Sequence, residues 1–145
     1  MAITYDKISY DEIEQGLKSK IAVEFQNVYI SPSFVMRGTE CIRINLVDST
    51  SEELATNFEV RNYNIVIRYY IKAKVEEERI NSAVKGKIDR LRKLLIDNQV
   101  NTGKNWSKLE IDTITYHLQD EENEDISDLN IAEFDCSILH YNQFT

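Results

Sequence analysis

Apolar residues along this chain recur with two different periods, and the changes of period divide it into helical and extended elements. Residues 4–20 read as a helix, with Ile8, Ile13 and Leu17 at a rough helical spacing and Tyr5 one turn earlier. Ser9 and Glu12 stand at capping-box spacing, which would start the regular helix at Ser9. Residues 21–30 carry Val23, Phe25, Val28 and Ile30 and predict a short strand or extended segment. Pro32 breaks it, because proline has no N–H to give to a ladder.

Residues 40–47 predict a strand, with Ile42, Ile44 and Leu46 alternating with Arg43 and Asn45. The polar stretch 48–53 predicts a turn. Residues 57–73 form the longest β pattern. Phe58 and Val60 point one way, and Ile65, Ile67, Tyr69 and Ile71 then take the odd positions, so the phase flips near Arg61 and Asn62. A bulge or bend there would account for the flip. Val66, Arg68 and Tyr70 lie on the other face, and antiparallel pairing with 40–47 is expected.

Residues 76–98 predict a helix, with a stripe of Ile80, Val84, Ile88, Leu91 and Leu95 that Leu94 widens. Glu76, Glu77 and Glu78 suit the positive end of its dipole. Lys85, Lys87, Arg90, Arg92 and Lys93 follow, and Asn98 with Asn101, Thr102 and Gly103 ends it. Residues 105–119 return to β, with Leu109 and Ile111, then a phase change to Ile114, Tyr116 and Leu118. Residues 129–144 form a last strand, with Ala132, Phe134, Cys136, Ile138 and His140 on one face and Asp135 and Ser137 on the other. The two final strands read as a hairpin around an acidic loop, 120–128. The fold class is therefore α+β, order α-β-β-β-α-β-β, a mostly antiparallel sheet with two helices packed on one face. The other face is left for solvent or a neighbour.

The chain has 145 residues, enough for one domain with its own core, so it is read as a single domain over 1–145. Cys41 and Cys136 sit in apolar, alternating stretches and read as buried reduced thiols, as a cytoplasm would keep them. Residues 1–10 have no apolar run like that of a signal peptide. No window approaches the ~18 apolar residues of a membrane helix. The expectation is synthesis in a cytoplasm and no membrane partner. The net charge of −8 argues against a nucleic-acid coat, yet an acidic wall would let DNA slide past without sticking.

Catalytic chemistry is sparse. With four glycines and one proline, there is no dinucleotide fingerprint, phosphate loop or nucleophile elbow. His117 and His140 fall on the terminal hairpin, where they could be cross-strand neighbours, and both read as surface or half-buried residues. Cys136 and His140 are ~13 Å apart along a strand, too far to act as a thiol–imidazole pair. The acidic run fails as a calcium loop: counted from Glu121 the sixth position is Ile126, and counted from Asp120 the twelfth is Ile131. No catalytic residue, metal or cofactor is expected.

Association is the better-supported chemistry. The basic second helix and the acidic loop give one molecule two complementary patches, as a head-to-tail ring subunit could use. Lys87 and Arg90 on the helix, Glu121, Glu122 and Glu124 in the loop, and Arg68 and Tyr70 on the free sheet face are the candidate interface residues. The strand tyrosines Tyr63, Tyr69, Tyr70, Tyr116 and Tyr141 fit either an interface or a sheet packed under its own helices.

Three stretches carry a resemblance to a known family. An N-terminal helix ends in Phe25-Gln26-Asn27-Val28-Tyr29-Ile30-Ser31-Pro32 and is followed by Cys41-Ile42-Arg43-Ile44. A long strand, 60–73, leads directly into the helix 76–98. The closing hairpin opens at Trp106 and carries the variable loop 120–128. In element order and length the chain resembles the tail terminator (tail completion) proteins of long-tailed phages, and more loosely the head-to-tail connector proteins of the neck. The resemblance implies a structural virion protein and no enzyme. It would be a hexameric ring subunit that caps the tail tube and joins it to the neck and head, with tail tube and neck proteins as partners and DNA only passing through. The alternatives are a neck head-completion (connector or stopper) protein and a non-phage acidic binding module.

Overall fold

A computed structural model describes residues 7–32, 38–73, 78–117 and 129–143. The chain is α+β. A π-helical stretch, Ile8–Glu14, runs into α1, Gln15–Ile21, and is followed by β1, Val28–Ile30, β2, Glu40–Leu54, and β3, Phe58–Lys72. Then come α2, Glu78–Asp97, a 3₁₀ turn at Thr102–Lys104, β4, Trp106–His117, and β5, Leu129–Gln143. The strands form one sheet in the order β1-β2-β3-β5-β4. Among the described residues only the β1–β2 pair is parallel. Both helices pack on one face, as the amphipathic pattern predicts.

That face holds the core. Ile42 and Ile44 from β2, Tyr63, Ile65, Ile67, Tyr69 and Ile71 from β3, and Ala132, Phe134, Cys136 and Ile138 from β5 are buried against Ile13, Leu17, Ile21, Val84, Ile88, Leu91 and Leu95. The α2 stripe is buried as its spacing predicts, with Ile80 and Leu94 packed at its margin. Burial of one such side chain stabilises the fold by roughly 1.5–3 kcal/mol. The stripe therefore holds the helix down without any help from helix propensity.

Several expectations change. The helix continues through Ile21, and only Val28–Ile30 of 21–30 is strand. Ile13, Leu17 and Ile21 recur every four residues and are all buried, so the helical period overrides the apparent alternation. Val23 is left exposed. The Ser9–Glu12 capping box does not form: Ser9 lies inside the π-helical stretch, whose N-cap, Lys7, makes no side-chain cap bond. Glu12 instead bonds His140 on β5.

The 48–53 stretch is strand, not turn. β2 stays paired to β3 out to Leu54 opposite Glu59, and Ala55 donates its N–H to the Phe58 carbonyl at 2.9 Å across the hairpin end. A long cross-strand ladder outweighs the local turn preference of Asp48, Ser49, Thr50 and Ser51. The bulges lie in β2, at the register shifts between Leu46 and Asp48 and between Ser51 and Glu53, while β3 pairs with β5 without a shift. The phase flip in β3 has another cause. The helix-facing positions beyond Tyr63 are taken by Arg61 and Glu59, which pair with each other at 3.2 Å, so the apolar Phe58 and Val60 fall on the opposite face, where Phe58 stacks on Tyr141 with ring centroids 5.4 Å apart. The phase change in the 105–119 strand is a register shift, between Ile111 and Thr113.

His117 faces Ile131 and His140 faces Trp106, so the histidines are not cross-strand neighbours. His140 is 1% exposed, a core residue rather than a surface one. Trp106 sits beneath α1 and α2, and Asn105, in the left-handed region at φ 56°, turns the chain into it. Residue 5, residues 76 and 77, residues 118 and 119, and the acidic loop 120–128 lie outside the described residues.

Candidate assembly surface

The face of the sheet opposite the helices is lined by the alternate set of side chains. Arg43 and Asn45 from β2, Asn62, Asn64, Val66, Arg68 and Tyr70 from β3, and Ile131, Glu133, Asp135, Ser137 and Leu139 from β5 are all half-buried. The mixture of polar and apolar side chains on this face suits a wet, specific contact better than a core. Arg68 and Glu133, directly opposite in register, form an ion pair at 2.8 Å. Tyr70 lies beside them in register with Cys41 and Ile131. Two candidate residues, Arg68 and Tyr70, thus share one face.

The other candidates are elsewhere. Lys87 on α2 pairs with Glu40 at the start of β2. Arg90 bonds both the carboxylate and the carbonyl of Glu24 at 3.3 Å, and its guanidinium lies over the Phe25 ring, 5.0 Å from the centroid. These contacts tie α2 to the segment after α1 and to β2. Glu121, Glu122 and Glu124 are outside the described residues. The tyrosines divide: Tyr63 and Tyr69 are buried under the helices, Tyr70 is half-buried on the open face, and Tyr116 and Tyr141 are exposed.

Two surface features had no label in the sequence. One is the distal β2–β3 hairpin, which projects beyond the helices and carries Asp48, Glu52, Glu53 and Leu54. The other is a groove of about 470 Å³ between α2 and β4, an edge strand of the sheet. The available signals were Leu54 and Ile96, apolar residues that fit no stripe; both are exposed.

Among the described residues no group of three or more His, Cys, Asp or Glu could hold a metal ion. None of the described helices is long and apolar enough to cross a membrane. Burial pushes the Cys136 thiol up to about 12 and also raises Cys41. An activated cysteine shifts the other way, toward thiolate at neutral pH. Both thiols are therefore expected to resist a thiol-reactive reagent at pH 8 in the native state and to react fully once the chain is unfolded. A fast native reaction at either thiol would contradict their burial. Burial also raises Tyr69, with a smaller contribution from the Glu40 charge.

No family model and no curated protein matches the sequence. Among solved structures, the sheath/tube terminator of PVC, an extracellular contractile injection system, in its extended state has a similar fold. The alignment covers 99% of this chain with a TM-score of 0.56 and 10% sequence identity. This chain spans 58% of the length of that one. The likeness is one of fold, and at that identity no residue is carried across.

Proposed function

We propose that this chain is a ring-forming terminator subunit that ends the tube of a phage tail or of a related contractile apparatus. The observation that carries the reading is the extent of the fold likeness, 99% of this chain, to a sheath/tube terminator. On this reading residues 1–145 act as one structural domain without catalysis. Copies close into a ring, a hexamer in the virion, with tube protein on one side and neck proteins on the other. Arg68 and Tyr70 on the open sheet face contact a neighbouring protein. The net charge of −8 suits a ring whose channel DNA or cargo crosses without being held.

A terminator must stop a polymer, and that gives the test. In a particle-producing strain lacking this protein, electron microscopy is expected to show tubes of irregular, mostly excessive length. The purified protein, added during assembly, should restore a single length. Tubes of normal length that fail to join heads would place the protein in the neck instead. Unaltered, infectious particles would overturn the reading.

A further inference from the structure

We infer that the outer edge of β4 pairs antiparallel with the same edge of a second copy of this chain, about a two-fold axis at Thr115, so that the two sheets become one. This contact goes beyond the terminator reading and does not depend on it.

β4 ends the strand order, so one of its sides has no neighbouring strand among the described residues. Its two halves meet that exposure differently. Residues 106–112 carry Lys108, Glu110 and Asp112, and register shifts bound this half, between Trp106 and Lys108 and between Ile111 and Thr113. Charges and bulges of this kind keep an edge from recruiting another strand. The Leu109 N–H is also taken, by the Gln99 carbonyl at 2.7 Å. Residues 113–117, Thr-Ile-Thr-Tyr-His, have neither device. They pair with 131–135 of β5 without a shift, and they hold no proline, glycine, Asp, Glu, Lys or Arg.

Hydrogen-bond alternation identifies the groups at that edge. Tyr141 of β5 donates its N–H to the Asn105 carbonyl at 2.9 Å, on the β4 side. Main-chain groups point alternately to the two sides of a strand, and β5 runs along β3 without a shift. The odd-numbered residues of β5 therefore bond toward β4, and their partners Thr113, Thr115 and His117 bond inward. Ile114 and Tyr116 turn their N–H and C=O outward. Their side chains line the α2–β4 groove, and Tyr116 is 47% exposed.

The register selects the occupant. β2, β3 and β5 each have a strand on both sides, so among the described strands a second copy can offer only β1 or β4. β1 is 3 residues long and stops just before Ser31 and Pro32. β4 fits itself. With the axis at Thr115, Ile114 lies opposite the second copy's Tyr116, and Tyr116 opposite its Ile114. Opposite residues of this class exchange both of their bonds, so every outward group at 114 and 116 is satisfied in both copies. An axis at Ile114 would instead set Tyr116 against Asp112, at the register shift. The side chains agree with the first arrangement. Each isoleucine meets a tyrosine on the helix side, Thr115 meets itself on the other side, and Thr113 meets His117. No like charges stand opposite each other. An isologous pair closes at two copies, so it is a state of the free protein, distinct from a ring standing on a tube.

Sedimentation of the purified chain tests the pair, with folding checked by circular dichroism. Each copy carries a net charge of −8, so the dimer should tighten as salt is raised, whereas a contact built on ion pairs would loosen. Thr115→Cys is the sharpest probe, because an axis at this position brings the residue onto itself. Opposite residues that do not share hydrogen bonds have Cα atoms ~4.5 Å apart, within disulfide reach. This single variant should give a disulfide-linked dimer under mild oxidation, while the buried native thiols stay reduced. Tyr116→Pro removes an outward N–H that the monomer does not use, so melting should stay near wild type while dimerisation weakens about tenfold or more. Tyr116→Lys should act in the same direction by placing a charge on the edge. A Thr115→Cys chain that does not link to itself, or a dimer indifferent to both Tyr116 variants, overturns the proposal. So does a Thr115→Cys chain that links only to a tube protein, which would give the edge to another protein's strand. Tube length in the deletion strain is a separate measurement, so failure here leaves the terminator reading standing.

Discussion

Trp106→Ala is expected to lower unfolding free energy by about 4 kcal/mol, the upper part of the range for a buried aromatic truncated to alanine. For a chain this size that lowers Tm by ~12 °C. The ring is 1% exposed at the start of β4, beneath both helices. Its indole N–H donates to the Asn98 carbonyl just beyond the end of α2, at 3.2 Å. The loop before it is tied by paired backbone bonds between Asn101 and Trp106, at 3.0 and 3.1 Å. From α1 it meets Gly16, where an added Cβ would lie 2.8 Å from Cζ3 of the ring. That distance settles the sign of a second substitution. Alanine is the better helix former by ~1 kcal/mol, yet Gly16→Ala is expected to destabilise, because the atom it strikes belongs to a locked core ring. Combining Gly16→Ala with Trp106→Phe should cost less than the sum of the two, since the smaller ring relieves the clash. Denaturant melts of the four chains measure the coupling, and additive costs would show that the contact between helix and ring does not matter.

How much of this was visible in the sequence follows from where each signal resides. The α2 stripe and the alternation of Phe134, Cys136 and Ile138 are local, and the elements they predict are the ones observed. The far half of β2 was not legible. Its residues have turn chemistry, and only a partner strand, seen from residue 59 backward, turns them into a ladder. The end of α1 failed for the opposite reason, since Val23 and Phe25 imitate alternation while only Phe25 is buried. Buried polar groups were hidden within correct patterns. Asn130 and His140 both fall in phase with the core positions of β5, and being in phase was the one available sign that they are interior.

The candidate surface was half legible. That the helices leave one sheet face open follows from the count and order of elements, and Arg68 and Tyr70 share that face. The sequence could not sort the basic residues of α2 into those bound at home and those left over. Glu24 and Glu40 reach Arg90 and Lys87 only after the chain has folded back across the helix. The groove against β4 likewise needs two elements that are adjacent only in space.

Removing the carboxylate at position 12 should be the second large loss. Glu12, in the π-helical stretch, bonds Nε2 of His140, and Nδ1 of that ring has no hydrogen-bond partner among the described residues. The imidazole is 1% exposed, packed edge-on to Tyr63 with centroids 6.0 Å apart. Glu12→Ala would leave both ring nitrogens buried without a partner, which costs about 2 kcal/mol. It also unfastens the π-helical stretch from β5, so amide exchange in Ile8–Glu14 should accelerate more than exchange in α2. His140→Phe alone strands a less buried group, because Glu12 can turn toward water, and should cost less. In the double variant both polar groups are gone and an aromatic ring of similar size remains against Tyr63. Most of the loss should then be recovered, since replacing both partners by apolar groups of similar shape can be nearly neutral. Urea titrations of the three variants give the coupling directly. If Glu12→Ala unfolds at the wild-type midpoint, the carboxylate does not hold this helix, and its apolar contacts through Ile13 and Leu17 suffice.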